Sequence, residues 1–311
     1  MGSKSNMNNN KNIRNICHLL GFDLLSKDEI KIDSRFCLRR VSSEEINQFR
    51  QMYKNNVKDF YDWESYQNCI ENNEDKDLGE LYLEFNDIVF AMWLFSGYSI
   101  FPGAMISLPG KPLRTRSTLG FFRCENGWGI WKANKDEIKR FSVFWNYITQ
   151  NQIQFSGIWK RFVYKGLKEA REQCIVNFTI AMDNILLPNE DRNLKSKFSF
   201  RAGALLGDNY NKREKIVTFF RKAYKQRSNI VHGNNWEYSD QELLLYIHFC
   251  RKIILIYLDN QSNWKEAIRE IELWKNRLIY RLADSMINLS EIIKGLKGKV
   301  NNGKTKKRKE S

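Results

Sequence analysis

Lys212-Arg213-Glu214-Lys215-Ile216-Val217-Thr218-Phe219-Phe220-Arg221-Lys222-Ala223-Tyr224-Lys225-Gln226-Arg227-Ser228-Asn229-Ile230-Val231-His232-Gly233 is the stretch on which the reading of this chain turns. No Pro or Gly interrupts it before Gly233, a residue suited to a left-handed cap, so it predicts a helix from Lys212 to about Val231. It also sets a permanent cation, Arg227, four intervening residues before an imidazole, His232. The chain has only three histidines, His18, His232 and His248. An imidazole moves protons near neutral pH, and a guanidinium holds a phosphate or a charged transition state. Together they suit cleavage of a phosphodiester without a metal. Five residues along a regular helix is about 140° of rotation. The two side chains of one chain therefore point the same way only if the helix ends between them. A site shared across a dimer removes the difficulty.

Working outward, the sequence from about residue 155 reads as helical. Ile158 to Leu187 predicts one long helix closed by Pro188, and Phe198 to Leu206 a second, broken by Gly207-Asp208-Asn209. Beyond the quoted stretch, Asp240 is a candidate cap for a helix from Gln241 to Leu258 that is apolar nearly all round, as a buried or dimer-facing helix is. Trp264 to Ile293 carries Ile271, Trp274, Leu278, Leu282, Met286, Leu289 and Ile293 at three- and four-residue spacing, one apolar stripe on a charged helix. The fold class read from this is mainly α: a C-terminal helical bundle with a mixed α/β N-terminal region. The boundaries are a weakly ordered lead-in over 1–30, a mixed region over 31–150 suited to sensing or regulation, the helical domain over 155–293 and a basic disordered tail over 294–311.

In the N-terminal region, Glu80 to Phe95 predicts a strongly apolar helix. Leu119 to Trp131 predicts a hairpin turning at Asn126-Gly127, with Arg114, Arg116, Arg123 and Lys132 around its aromatic residues. Ile88 to Gly110 holds no charged residue, a length that allows a membrane span. Ser96-Gly97 and Pro102-Gly103 interrupt it, so a buried helix followed by a turn is expected instead.

The formal net charge of +15 favours a polyanionic partner, nucleic acid or an acidic membrane surface. Six scattered cysteines form no C-x-x-C pair, which argues against zinc and fits reduced thiols in a cytoplasm. The opening residues are polar and asparagine-rich, unlike a signal peptide, and Asn6 breaks a myristoylation pattern after Met1-Gly2. No cofactor and no membrane anchoring are expected.

Two further residues bear on the chemistry. Asp183 lies in the apolar run Ile180-Ala181-Met182-Asp183-Asn184-Ile185-Leu186-Leu187, where a buried carboxylate needs a cation or donor; Arg227 and Arg201 are the candidates. Asn229 precedes His232 by three residues and shares its face if the helix continues.

Residues from about Glu172 to Gly233 resemble a HEPN domain, specifically the Apea-like group. The resemblance rests on Ile180-Ala181-Met182-Asp183, on Phe200-Arg201-Ala202-Gly203-Ala204-Leu205-Leu206, and on Ala223-Tyr224-Lys225-Gln226-Arg227-Ser228-Asn229-Ile230-Val231-His232-Gly233. It implies a HEPN-like bundle that forms a homodimer and brings two motifs together. It also implies metal-independent RNA cleavage in a toxin or an anti-phage defence effector. Arg227 and His232 match the active pair and Asn229 the polar residue within the motif. Asp183 matches an acidic position where the family more often has Glu. The expected reaction is attack of the ribose 2′-hydroxyl on the adjacent phosphorus, leaving a 2′,3′-cyclic phosphate and a 5′-hydroxyl. Arg221, Lys222 and Lys225 are expected to attract the RNA backbone. Two alternatives stay open: a non-catalytic module that binds RNA or protein through the same bundle, and a membrane-surface protein.

Overall fold

The computed structural model describes residues 14–53, 67–74, 76, 78–108, 129–234 and 238–267. The chain is mainly α with an N-terminal sheet region and divides into two compact units. Among the described residues, the first takes 14–93, 98–108 and 129–146, and the second takes 94–97 and 147–267.

In the first unit, β1 (Arg14–Leu20) is a central strand, antiparallel to β5 (Asn68–Asn72) on one side and to β6 (Phe101–Leu108) on the other. The sheet continues from β5 through β4 (Phe36–Arg40) to β3 (Ile30–Lys31), in the order β3-β4-β5-β1-β6. A short parallel pair joins β2 (Phe22–Leu24) to β7 (Trp131–Ala133). The expected lead-in is thus corrected for residues 14–24. Asn15 to Leu19 are buried without alternation, so the segment lacks the polar–apolar rhythm of a half-exposed strand. The expected hairpin at Leu119 to Trp131 lies outside the described residues over 119–128, as do Arg114 and Arg116; Trp131 instead pairs with Phe22.

Helices α1 (Ser43–Tyr53), α2 (Leu78–Ser96) and α3 (Lys135–Gln150) complete the N-terminal half. Ile88 to Ser96 of α2 are all buried, as the apolar run predicts. No helix among the described residues is long and apolar enough to cross a membrane. An ionic cluster ties β1, β4, β5 and α1 together. Arg14 donates to Glu71 and Glu45, and Arg39 donates to the same two carboxylates.

The second unit is built of helices. The single helix expected over Ile158 to Leu187 is two, α4 (Ile158–Lys168) and α5 (Arg171–Leu186), because Glu169 and Ala170 are extended. The Asn177 side chain donates to Glu169 at 2.7 Å and braces that break. α6 (Leu194–Leu206) folds back on α7 (Tyr210–Val231) through Gly207-Asp208-Asn209, and Asn209 caps α7 by accepting from the Lys212 N–H. α8 (Asp240–Leu258) is capped by Ser239, not Asp240, with Glu242 returning the bond in a capping box. Of the helix expected over Trp264 to Ile293, α9 (Trp264–Ala267) falls within the described residues; the remainder and the basic tail lie outside them.

α5 sits against α4, α6, α7 and α8. Its buried residues, Cys174 to Thr179 with Ala181, Met182, Ile185 and Leu186, make it the core element. Phe198, Phe219, Phe220, Tyr246 and Phe249 pack edge-on or tilted between α6, α7 and α8. This fixes which side of α7 faces inward and hence how its polar residues are displayed.

Candidate active site

α7 remains helical through Arg227 and on to Val231, with His232 as the residue that closes it. The closure is a Schellman motif. The Gly233 N–H donates to Ile230 O at 3.1 Å and the Asn234 N–H donates to Asn229 O at 2.8 Å. Gly233 has φ +73, with nothing near a built Cβ, so only the backbone angle calls for glycine there. The helix does not end between the motif residues. The roughly 140° of rotation expected between Arg227 and His232 therefore holds within one chain.

The two residues occupy different environments. His232 is exposed. Of the other histidines, His18 is fully buried, and burial, then Arg251 and Lys252, hold His248 down to about 3, so it stays neutral. His232 is thus the exposed imidazole of the three. Arg227 turns inward on the side of α7 that carries Phe220, Ala223 and Tyr224. Its Nε is buried and has no hydrogen-bond partner.

Asp183 of α5 faces the same place. Its Oδ1 is likewise buried and without a hydrogen-bond partner. Burial pushes its carboxyl up to about 6, and the Arg227 charge pulls only partly against that. No ion pair closes between the two. Tyr224, one turn before Arg227, lies near both. Burial, then the Asp183 charge, raises its phenol against the pull of Arg227, while its ring packs edge-on to Phe198 at 5.2 Å. Sequence reading had given Tyr224 no role; its spacing of three from Arg227 was the available signal.

Arg201, the other partner expected for Asp183, is committed elsewhere. It donates to Leu186 O at 2.7 Å, satisfying a carbonyl at the end of α5, and to Glu190. Asn229 lies on the His232 side of the helix, as its spacing predicts. It is half-buried, and its side chain makes no hydrogen bond among the described residues. Arg221 and Lys225 are exposed and unpaired among those residues. Lys222 is tied to Glu242 and lies over the Tyr238 ring at 5.0 Å, so its charge is largely spent on joining α7 to α8. Among the described residues, no group of three or more His, Cys, Asp or Glu side chains is placed to hold a metal ion.

The structure therefore brings Asp183, Tyr224 and Arg227 near one another inside the unit and sets Arg221, Lys225, Asn229 and His232 along one face of α7, with Arg221 and His232 about 16 Å apart along the axis. It does not bring Arg227 to His232. No protein-family model matches the chain, and no curated protein or solved structure matches it at a significant level.

Proposed function

We propose that the chain is a HEPN-type endoribonuclease that needs no metal, works as a homodimer and serves as a toxin or anti-phage defence effector. The observation that carries the reading is the pairing of an exposed imidazole with orphaned buried groups at one helix end. His232 stands on the face of α7 that carries the unpaired Arg221 and Lys225, while Arg227 and Asp183, inside the unit, each keep a buried polar atom with no partner. Such atoms cost about 1–3 kcal/mol each, so the fold alone gives no reason to keep them. In the proposed reaction the 2′-hydroxyl loses its proton and its oxygen bonds to phosphorus. The bond from phosphorus to the 5′ oxygen breaks, and that oxygen takes a proton. His232 transfers protons, Arg227 stabilises the charge on the oxygens of the pentacoordinate, phosphorane-like transition state, and Asp183 and Asn229 position them. Because one chain holds its pair on different faces, the second copy supplies the complement. A regulatory or sensing role for the N-terminal unit, and a cytoplasmic setting, belong to the same proposal.

One observation favours a second reading, a non-catalytic module that binds RNA or protein. Arg227 points into the protein, where a purely structural role would also put it. The two separate in one assay: purified chain and its His232→Ala variant are incubated with total RNA in EDTA and the ends mapped. The nuclease reading expects cleavage by the native chain alone, leaving cyclic phosphates. Cleavage by both proteins, or ends bearing 5′-phosphates, would remove it.

A further inference from the structure

We propose that the exposed face of α7 from Tyr210 to His232 is a track for single-stranded RNA, with Tyr210 as a base-stacking platform at its far end. The identity of the polymer rests on the ribonuclease reading above; the track itself rests on how α7 displays its side chains. At about 100° per residue, Tyr210, Glu214, Arg221, Lys225 and His232 fall within one narrow stripe. All five are exposed, and Tyr210 stands 75% exposed. A lone exposed tyrosine is ordinary. Its alignment with these cations is not.

Most cations on the flanks of α7 are paired, the exposed Lys215 being the exception among the described residues. Lys212 is bonded to Asp208, Arg213 to the Gly207 carbonyl and Lys222 to Glu242. Arg221 and Lys225 have no such partner among the described residues. They stand four residues apart on one face, where like charges repel and weaken the helix. Folding gains nothing from that arrangement, whereas a phosphate backbone lying along the stripe would neutralise both. Glu214 is the acid of the stripe. It repels phosphate but accepts from a ribose hydroxyl or a base amino group, which sets bases rather than phosphates beside the Tyr210 end. A phenol ring offers its face only to an unstacked base, so the track selects single strands over duplex. From Tyr210 to His232 the helix rises about 33 Å. That length takes roughly five to ten nucleotides, fewer if the strand is extended and more if it is stacked.

The test uses the full chain carrying His232→Ala, so that RNA survives, with binding followed by fluorescence anisotropy. The probes are a labelled 12-nucleotide RNA and a 12-unit abasic ribose-phosphate strand. Tyr210→Ala should weaken the RNA by about five- to a hundred-fold and leave the abasic strand unchanged, and Tyr210→Trp should restore the RNA. Arg221→Ala with Lys225→Ala should weaken both probes and reduce the slope of log affinity against log salt by about 1.4. An effect of Tyr210→Ala below two-fold on RNA, an equal loss on the abasic strand, or equal binding of duplex RNA overturns the track. Failure of the native chain to cut RNA, with this binding pattern intact, removes the nuclease reading and leaves the track standing. Cleavage with Tyr210→Ala silent does the reverse.

Discussion

Asp183 shows at the scale of one residue how a candidate site costs stability. In the unfolded chain this carboxyl titrates near 3.8, and burial carries it to about 6 in the fold. The native state therefore holds the proton more tightly. Stability from this group is complete below about 3.8 and drains away as pH rises through about 6. The gap corresponds to on the order of 3 kcal/mol of strain above pH 6. Asp183→Asn should accordingly raise the unfolding midpoint at pH 8 by about 5 °C and change it little at pH 4. Thermal unfolding followed at both pH values checks this; a destabilised variant at pH 8 would show that Asp183 is well paired after all. Under the proposed function the same substitution lowers RNA cleavage while it strengthens the fold. A residue kept only for packing does not separate the two in that way.

Elements were legible where local chemistry marks their ends. Gly233 marks the end of α7 in the sequence and the structure uses it as a left-handed closure, whereas the start, read at Lys212, falls at Tyr210 because Asn209 of the preceding break caps the helix. The break between α4 and α5 was not legible. Glu169-Ala170 carries no Pro or Gly, and the turn is held by Asn177 reaching back from the next helix. β1 was missed because both its faces are buried, which removes the alternation that reveals a half-exposed strand. For the site, the spacing of Arg227, Asn229 and His232 gave their faces correctly. The unpartnered state of Arg227, and the diversion of Arg201 to the end of α5, are tertiary facts with no local sign. The fit of α6 to α7 is of the same kind. A Cβ at Gly203 would stand 2.5 Å from Val217 Cγ2 and 3.0 Å from the Arg213 carbonyl oxygen. Gly203→Ala must push the hairpin apart and should cost about 1–3 kcal/mol. A lower urea midpoint with an unchanged slope is the expected result; an unchanged midpoint would mean the helices do not meet there.

At the scale of the whole molecule, the two units should answer acid differently. In the first, burial tends to raise Glu45 and Glu71. Hydrogen bonds and charge from Arg39 and Arg14 outweigh it, bringing Glu45 to about 2 and holding Glu71 below its usual range. Their contribution is present above about 4.5 and is lost as pH falls toward 2. In the second unit, Asp183 adds stability as pH falls through 6, while His248, held down to about 3 by burial, withdraws it as pH falls below 6.5. The two largely offset, so between pH 7 and 5 the helical unit should keep its amide-exchange protection about level, as the sheet does. Below 4.5 the sheet should lose protection first. A surplus of +15 grows in acid and loosens both units by repulsion, so the comparison belongs in about 0.3 M salt, where surface charges are screened within a few ångströms. Exchange measured segment by segment, corrected for the intrinsic pH dependence, reads each unit separately. Glu71→Gln sharpens the outcome. It leaves Arg14 and Arg39 short of a carboxylate, so the sheet starts weaker at neutral pH and its fall in acid flattens. A sheet that weakens in step with the helices, or a Glu71→Gln protein with the native acid profile, would show that this cluster does not govern the acid response.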